Sequence, residues 1–337
     1  MAAQGDDRVI TRRKLIVALG ASALADPLAV FGQPASLRRV AFLYFASRQS
    51  ALESGRYERF LQGMRDLGYT DGKNYELVAR FADSLSERLP GLVEEIVRMK
   101  VNVIVATGTP VVAALRRSGG AIPVVMTVGA DPVGEGYAAS LARPGGNFTG
   151  LATGNAELFA KHVELLKTAL PKLSRLAILW NPANDSHPAR LKQVQAIAQK
   201  AGLRDVRLSA RTAVEIEHGF AAMTRERAQA LVVLNDSFFV QQMRQIAALS
   251  EKQRLPSLYG AIEYADAGGL LGYGQNILDN FQRAAIYVDK ILKGAKPGEL
   301  PIEQPTRVSL AINLKTARAI GFAVPQELML RADKVIE

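Results

Sequence analysis

VNVIVATGTPVVAALRRSGGAIPVVMTVGADPVGEGYAASLARPGGNFTG, residues 101–150, is the stretch whose reading decides the fold. Val103-Ile-Val-Ala106 is a β-branched run that stops at the turn Thr107-Gly108-Thr109. The pattern predicts a buried strand, a helix from Val111 to Arg117 opened by Pro110, and a second strand from Ile122 to Val128. Thr109 before Pro110 predicts an N-cap followed by the first helical residue. The Thr oxygen can accept an orphan helix N–H, and Pro lacks only an N–H that has no intrahelical acceptor. In a parallel α/β sheet such turns lie at the carboxyl ends of strands, where ligands bind. Thr107, Gly108 and Thr109 therefore aim N–H groups and a positive helix end at one cleft, and the Asp131-Pro132 turn opens at the same edge.

Outward from this stretch the chain repeats itself. Arg39-Val-Ala-Phe-Leu-Tyr44 matches Arg175-Leu-Ala-Ile-Leu-Trp180, each a strand followed by a polar turn and a long helix, Ala51 to Leu67 and Pro188 to Ala201. Second strands follow at Tyr75–Phe81 and Val206–Ser209, and further helices at Ser86–Met99 and Ala213–Arg227. Ile104-Val-Ala-Thr-Gly-Thr109 then pairs with Val232-Val-Leu-Asn-Asp-Ser237, and Ile122-Pro-Val124 with Leu255-Pro-Ser257. Two tandem β-α-β-α-β-α-β units predict two doubly wound parallel-sheet lobes with a hinge and a cleft between them. The turn-rich spacer Ala142 to Gly150 is a crossing point, and the chain is expected to return near Gly268-Gly269. A helix over Asn280–Lys293 completes the first lobe, and Lys296 to Pro301 reads as a linker. The tail reads strand, helix, turn and short helix, with Asn313 capping Leu314–Ile320. The expected lobes are residues 37–150 plus about 271–305, and 151–270 plus about 306–337.

Residues 1–36 read as an export signal and linker. Arg8, Arg12, Arg13 and Lys14 precede an apolar run from Leu15 to Ala25 that ends in the A-x-A pattern Ala23-Leu24-Ala25. Thr11-Arg12-Arg13-Lys14 resembles a twin-arginine signal. The run is shorter than the roughly 20 residues needed to span a bilayer, and Asp26-Pro27 separates it from Leu28–Phe31. An uncleaved anchor is the alternative to cleavage. The expected location is the periplasm.

With 337 residues, 48% hydrophobic and 22% charged, the composition is that of a globular protein of two domains. No cysteine is present, which excludes disulfides and thiolate chemistry. His162, His187 and His218 have no metal-ligand spacing. The net charge of +10 comes from scattered Lys and Arg, whereas a nucleic-acid footprint is a patch or stripe.

The sequence resembles substrate-binding proteins of ABC importers, in the periplasmic-binding family that includes tryptophan and phenylalanine binders. The match is carried by Ala106-Thr-Gly-Thr-Pro110, Gly129-Ala-Asp-Pro-Val-Gly134, Leu141-Ala-Arg-Pro-Gly-Gly-Asn-Phe-Thr-Gly150, Trp180-Asn-Pro-Ala-Asn184, Leu292-Lys-Gly-Ala-Lys-Pro-Gly298 and Asn313-Leu-Lys-Thr-Ala317. Gly321-Phe-Ala-Val-Pro325 and Arg331-Ala-Asp-Lys-Val-Ile-Glu337 extend it to the C-terminus. The resemblance implies a type I periplasmic-binding fold closing over a small ligand, with an ABC permease as partner. It does not fix the ligand.

Strand ends supply the candidate ligand contacts. Ser47 follows the first strand, where it either contacts ligand or caps the next helix. Thr107, Gly108 and Thr109 offer an anion site; Asp131 either accepts from an ammonium or makes a turn. Asn184 and Ser186 lie in the polar turn of the second lobe. Asp236 stands where Gly108 stands in the repeat, opposite the anion site, which suits a zwitterion; its alternative is to cap the helix from Phe238. Glu263 is a weaker candidate. Aromatics gather at the same ends, among them Tyr44, Trp180, Tyr259 and Tyr264, and a ligand side chain is expected to rest on one such as Trp180.

No catalytic constellation or cofactor is expected. Gly134-Glu-Gly136-Tyr-Ala-Ala139 fits G-x-G-x-x-A, but Asp131-Pro132 occupies the turn directly after the strand. Asp185-Ser186-His187 holds triad residue types, yet three neighbours in one turn cannot form the relay. The favoured function is capture of a small solute, amino-acid-like and aromatic or apolar, for delivery to a permease. The alternative is a periplasmic sensor that presents its closed form to a signalling partner.

Overall fold

The computed structural model describes residues 37–129, 131–153, 156–304 and 307–337. The export signal expected over residues 1–36 and the lobe boundary at residues 305–306 lie outside them. From the amino end run β1 (Arg38–Tyr44), α1 (Arg48–Glu53), α2 (Arg56–Asp66), β2 (Tyr75–Phe81), α3 (Leu89–Arg98), β3 (Val103–Thr107), α4 (Thr109–Arg117), β4 (Val124–Gly129) and β5 (Phe148–Ala152). The second unit follows as α5 (Ala156–Ala169), β6 (Arg175–Trp180), α6 (His187–Lys200), β7 (Arg204–Ser209), α7 (Ala213–Arg225) and β8 (Ala230–Val233). It continues through α8 (Ser237–Gln241), α9 (Met243–Lys252), β9 (Ser257–Tyr259), α10 (Glu263–Asp266) and β10 (Leu271–Gly274). The chain closes with α11 (Ile277–Leu292), β11 (Ser309–Asn313), α12 (Leu314–Ile320), α13 (Gln326–Arg331) and β12 (Lys334–Ile336).

The first sheet is parallel throughout, in the order β2-β1-β3-β4-β5. The second has the order β12-β11-β10-β9-β8-β6-β7. Its β7-β6-β8-β9-β10 part copies the first sheet strand for strand, which is the repeat seen in the sequence. β11 pairs antiparallel with β10 and β12 pairs parallel with β11, so these two strands run opposite to the rest of the sheet. Helices cover both faces of such sheets, so inner strands are apolar along their whole length. β3 is buried at every residue, as are β5 and β8.

Strand membership locates the crossings. The spacer Ala142–Gly150 leads into β5, still in the first sheet, so the chain leaves that lobe after Ala152. β10 belongs to the second sheet, so the return follows Gly274 and not Gly268-Gly269. There Asn276 caps α11, its side chain accepting from the Leu278 N–H at 3.1 Å. α11 packs on β4 and along α2, where Phe281 and Phe60 flank Phe42 with ring centroids 6.4 and 5.3 Å away. Residues 298–303 run beside β5, and β11 then rejoins the second sheet. Two lobes are therefore joined by three strands of chain.

Local breaks refine the expected helices. The helix read from Ala51 to Leu67 is two, because Gly55 adopts φ 70° and the Ser54 hydroxyl donates back to the Ser50 carbonyl at 2.7 Å. The helix after Asp236 likewise divides into α8 and α9. Asn313 caps α12 as expected, accepting from the Thr316 N–H at 3.0 Å.

Candidate functional site

The carboxyl ends of β1 and β3 in one lobe face those of β6 and β8 in the other. Between them lies a cavity of about 60 Å³, bordered by Thr107, Gly108, Thr109, Asn184, Asp236 and Arg190. Gly108, not Thr109, is the N-cap of α4, with φ 97° and ψ 143°, and makes no side-chain cap. That backbone region is open essentially to Gly alone. The turn is thus completed one residue earlier than expected, and Thr109 begins the helix with Pro110 after it. Pro110 has no N–H and the Val111 and Val112 N–H groups bond to the Gly108 carbonyl at 3.1 and 3.2 Å, so the backbone donor that α4 leaves at the cavity is the Thr109 N–H. Thr107 contributes wall and no free donor, because its buried hydroxyl bonds to the Leu43 carbonyl at 3.1 Å. The lobes meet here: a Cβ added to Gly108 would lie 2.7 Å from the Ser237 hydroxyl.

Asp236 borders the cavity with its oxygens already engaged. Oδ1 accepts from the Phe238 and Phe239 N–H groups at 2.9 and 3.3 Å and from Asn181 Nδ2 at 3.1 Å. Oδ2 accepts from Asn184 Nδ2 at 2.7 Å. It caps α8 and ties the β6 turn to the β8 turn. Asn184 in turn accepts from the Ser186 N–H and hydroxyl. His187, fully buried, accepts at Nδ1 from the Asn181 N–H at 2.8 Å, so its proton is on Nε2, donated to the Asn235 carbonyl at 3.1 Å. Burial holds its pKa below the usual value.

The other candidates are dispersed around this centre. Asp131 is exposed and accepts from the Gly134 N–H at 2.9 Å, the turn role; it borders a larger cavity, as does Ser186. Ser47 caps α1, accepting from the Ser50 N–H at 3.1 Å, and lies with Glu263 on a separate groove. Glu263 spans the return crossing, with Oε1 accepting from the Ile277 N–H at 3.2 Å, and burial raises its pKa. Trp180 packs on the core of its own lobe and does not border the cavity, whose aromatic lining comes from other residues.

Those aromatics are Tyr44, Tyr264 and Phe281. Tyr264 stacks on Tyr259 at 4.4 Å between centroids, and its buried hydroxyl has no partner. Arg56 is 8% exposed; it donates to the Tyr44 hydroxyl at 3.4 Å and lies 5.9 Å from the Phe281 ring centre. Arg190, on α6, borders both this cavity and the larger one of about 530 Å³ beside the crossings. Among the described residues its guanidinium forms no hydrogen bond or ion pair, and its backbone N–H donates to the Ser186 carbonyl at 3.2 Å. Burial holds its pKa below the usual value, against the attraction of Glu135, Asp131 and Asp236. Neither arginine was singled out from the sequence. Both lie within helices in a chain with 42 Lys and Arg, and nothing local marks them. Among the described residues no cluster of His, Asp and Glu is arranged to hold a metal, and no helix is long and apolar enough to cross a membrane.

A family model described as ABC transporter substrate binding protein matches residues 39–336. A relative from Clostridioides difficile described as a tyrosine-binding protein is 24% identical over 263 residues, 78% of this chain and 75% of that protein. Among solved structures, a conserved domain protein from Vibrio cholerae aligns with a TM-score of 0.82 at 24% identity, covering 88% of this chain and 99% of that one. An ABC domain in complex with L-Trp from Streptococcus pneumonia aligns with a TM-score of 0.81 at 24% identity, covering 89% and 100%. These structural likenesses establish the two-lobe α/β fold.

Proposed function

The chain belongs to the ABC transporter substrate-binding proteins, and from that premise we propose that it captures a small aromatic amino acid between its lobes, outside the cytoplasm, and delivers it to a membrane permease. The observation that carries this reading is Arg190, a half-buried cation whose guanidinium has no partner among the described residues, at the edge of an aromatic chamber. An unpaired buried charge is costly, and a ligand carboxylate relieves it with charge-assisted hydrogen bonds. The Thr109 N–H at the start of α4 adds a donor on the opposite wall. Tyr44, Tyr264 and Phe281 offer ring faces for an apolar side chain. The tyrosine-binding description of one similar protein and the L-Trp bound in another agree with this chemistry.

Calorimetry of the purified protein against the amino acids and a set of sugars tests the ligand class. Aromatic amino acids should bind most tightly; tight binding of sugars with none of amino acids refutes it. Export is tested by N-terminal sequencing of protein from the periplasm, which should begin within a few residues of Asp26. Recovery of intact Met1 from the cytosol alone refutes export. Co-purification with a permease in the presence of ligand, lost without it, tests delivery.

A further inference from the structure

The cavity of about 530 Å³ beside the crossings contains two unmet hydrogen-bond acceptors. His162 is 1% exposed, and its Nε2 lies 2.8 Å from the Tyr273 carbonyl. A carbonyl only accepts, so the proton is on Nε2 and Nδ1 is a bare acceptor, buried and unpartnered. Glu135, on the facing lobe, has Oε2 buried without a partner. Each unmet buried group destabilises the empty protein, a cost that a donor entering the cavity removes. Arg190 borders this cavity and also the aromatic chamber. Asp236, the alternative acceptor for an ammonium, is occupied by four donors of its own lobe.

We propose that this cavity is the head-group compartment of the ligand site, in which Glu135 Oε2 and His162 Nδ1 accept from the ligand's ammonium while Arg190 takes its carboxylate. The side chain then points into the chamber of Tyr44, Tyr264 and Phe281. The inference rests on the amino-acid reading above and narrows it. The site selects solutes that carry an N–H donor next to an anionic group, and discriminates against aromatic acids that lack the amine. Glu135 and Arg190 come from different lobes, so a bound head group holds the lobes together. That gives closed and open forms different affinities for the ligand, which closure requires.

The test is calorimetry of the full chain with L-tyrosine, with 3-(4-hydroxyphenyl)propionate, which lacks the amine, and with tyramine, which lacks the carboxylate. Wild type should prefer L-tyrosine to both analogues. Glu135→Gln should weaken L-tyrosine about 10- to 100-fold, the range for a hydrogen bond to a charged group, and leave the des-amino acid unchanged. His162→Leu should act in the same direction, which keeps the test intact if one variant does not fold; melting curves report folding. Equal weakening of both ligands by Glu135→Gln, or no effect on either, overturns the proposal. So does Asp236→Asn if it alone abolishes the preference for the amine. Failure of wild type to bind any amino acid in the panel overturns the amino-acid reading itself, a separate outcome from failure of the Glu135 assignment.

Discussion

Asn184, in the turn after β6, donates its side-chain amide to Asp236, in the turn after β8, at 2.7 Å, and both residues are buried. The bond joins two turns of one lobe, so Asp236 is part of the wall and not a free charge awaiting a ligand. Asp236→Ala removes the acceptor for Asn181, Asn184 and the first N–H groups of α8. Loss of a helix cap together with stranded buried donors predicts destabilisation by about 2–3 kcal/mol. Urea unfolding followed by circular dichroism measures it. A change below about 0.5 kcal/mol, the size of an ordinary surface substitution, shows that the network is not structural.

Arg190 predicts the opposite pairing of effects. Its half-buried guanidinium has no direct partner among the described residues, so its loss removes no contact from the empty protein. Arg190→Gln should leave the ligand-free melting temperature unchanged or raised. It should weaken an aromatic amino acid about 10- to 100-fold through loss of a charge-assisted contact. Equal affinity in the variant places the carboxylate elsewhere.

Gly108 lies where the two lobes touch. Alanine there meets both the φ of 97° and the Ser237 hydroxyl of the other lobe, 2.7 Å from the new Cβ. Backbone strain of about 1–3 kcal/mol is the expected cost, and the contact biases the lobes apart. Small-angle scattering should show wild type contracting with ligand and Gly108→Ala contracting less at the same occupancy. Identical profiles argue that the turn and Ser237 adjust without opening the cleft. The Arg117–Asp185 pair at the mouth, 3.1 Å apart and exposed on both sides, should matter far less, because such pairs contribute about 0–1 kcal/mol.

His162 supplies a pH dependence. Burial pushes its pKa from the ordinary 6.5 down to about 4, opposed by the bond to the Tyr273 carbonyl. Between those values the unfolded chain takes up a proton that the folded chain refuses. The contribution is therefore whole above about pH 6.5 and is lost as pH falls toward 4, by about 3 kcal/mol in total. His162→Gln should flatten the stability profile between pH 7 and pH 4.5 relative to wild type. A parallel profile assigns the acid sensitivity to other groups.

The sequence by itself determined the α/β fold and its internal repeat. Buried parallel strands must be apolar along their length, and Val103–Ala106 and Leu176–Leu179 are written that way. Turn chemistry was partly legible: Asn313 caps its helix as read, the cap before Pro110 falls one residue earlier, at Gly108, and the capping role of Asp236 was the alternative to ligand contact. The clustering of Thr107, Gly108, Thr109, Asn184 and Asp236 around one cavity also followed, because strand ends of a repeat meet at one edge. What only the tertiary structure decided is which charges are spent and which are free. The Asp236 oxygens accept from donors 52 and 55 residues away, whereas the guanidinium of Arg190, unremarkable among the basic residues, is left unpaired among the described residues. Burial and partner count are properties of packing between distant segments, and no local pattern encodes them. For the same reason Glu135 and His162, whose neighbours in the chain mark neither, come to border one cavity only when the two lobes stand face to face.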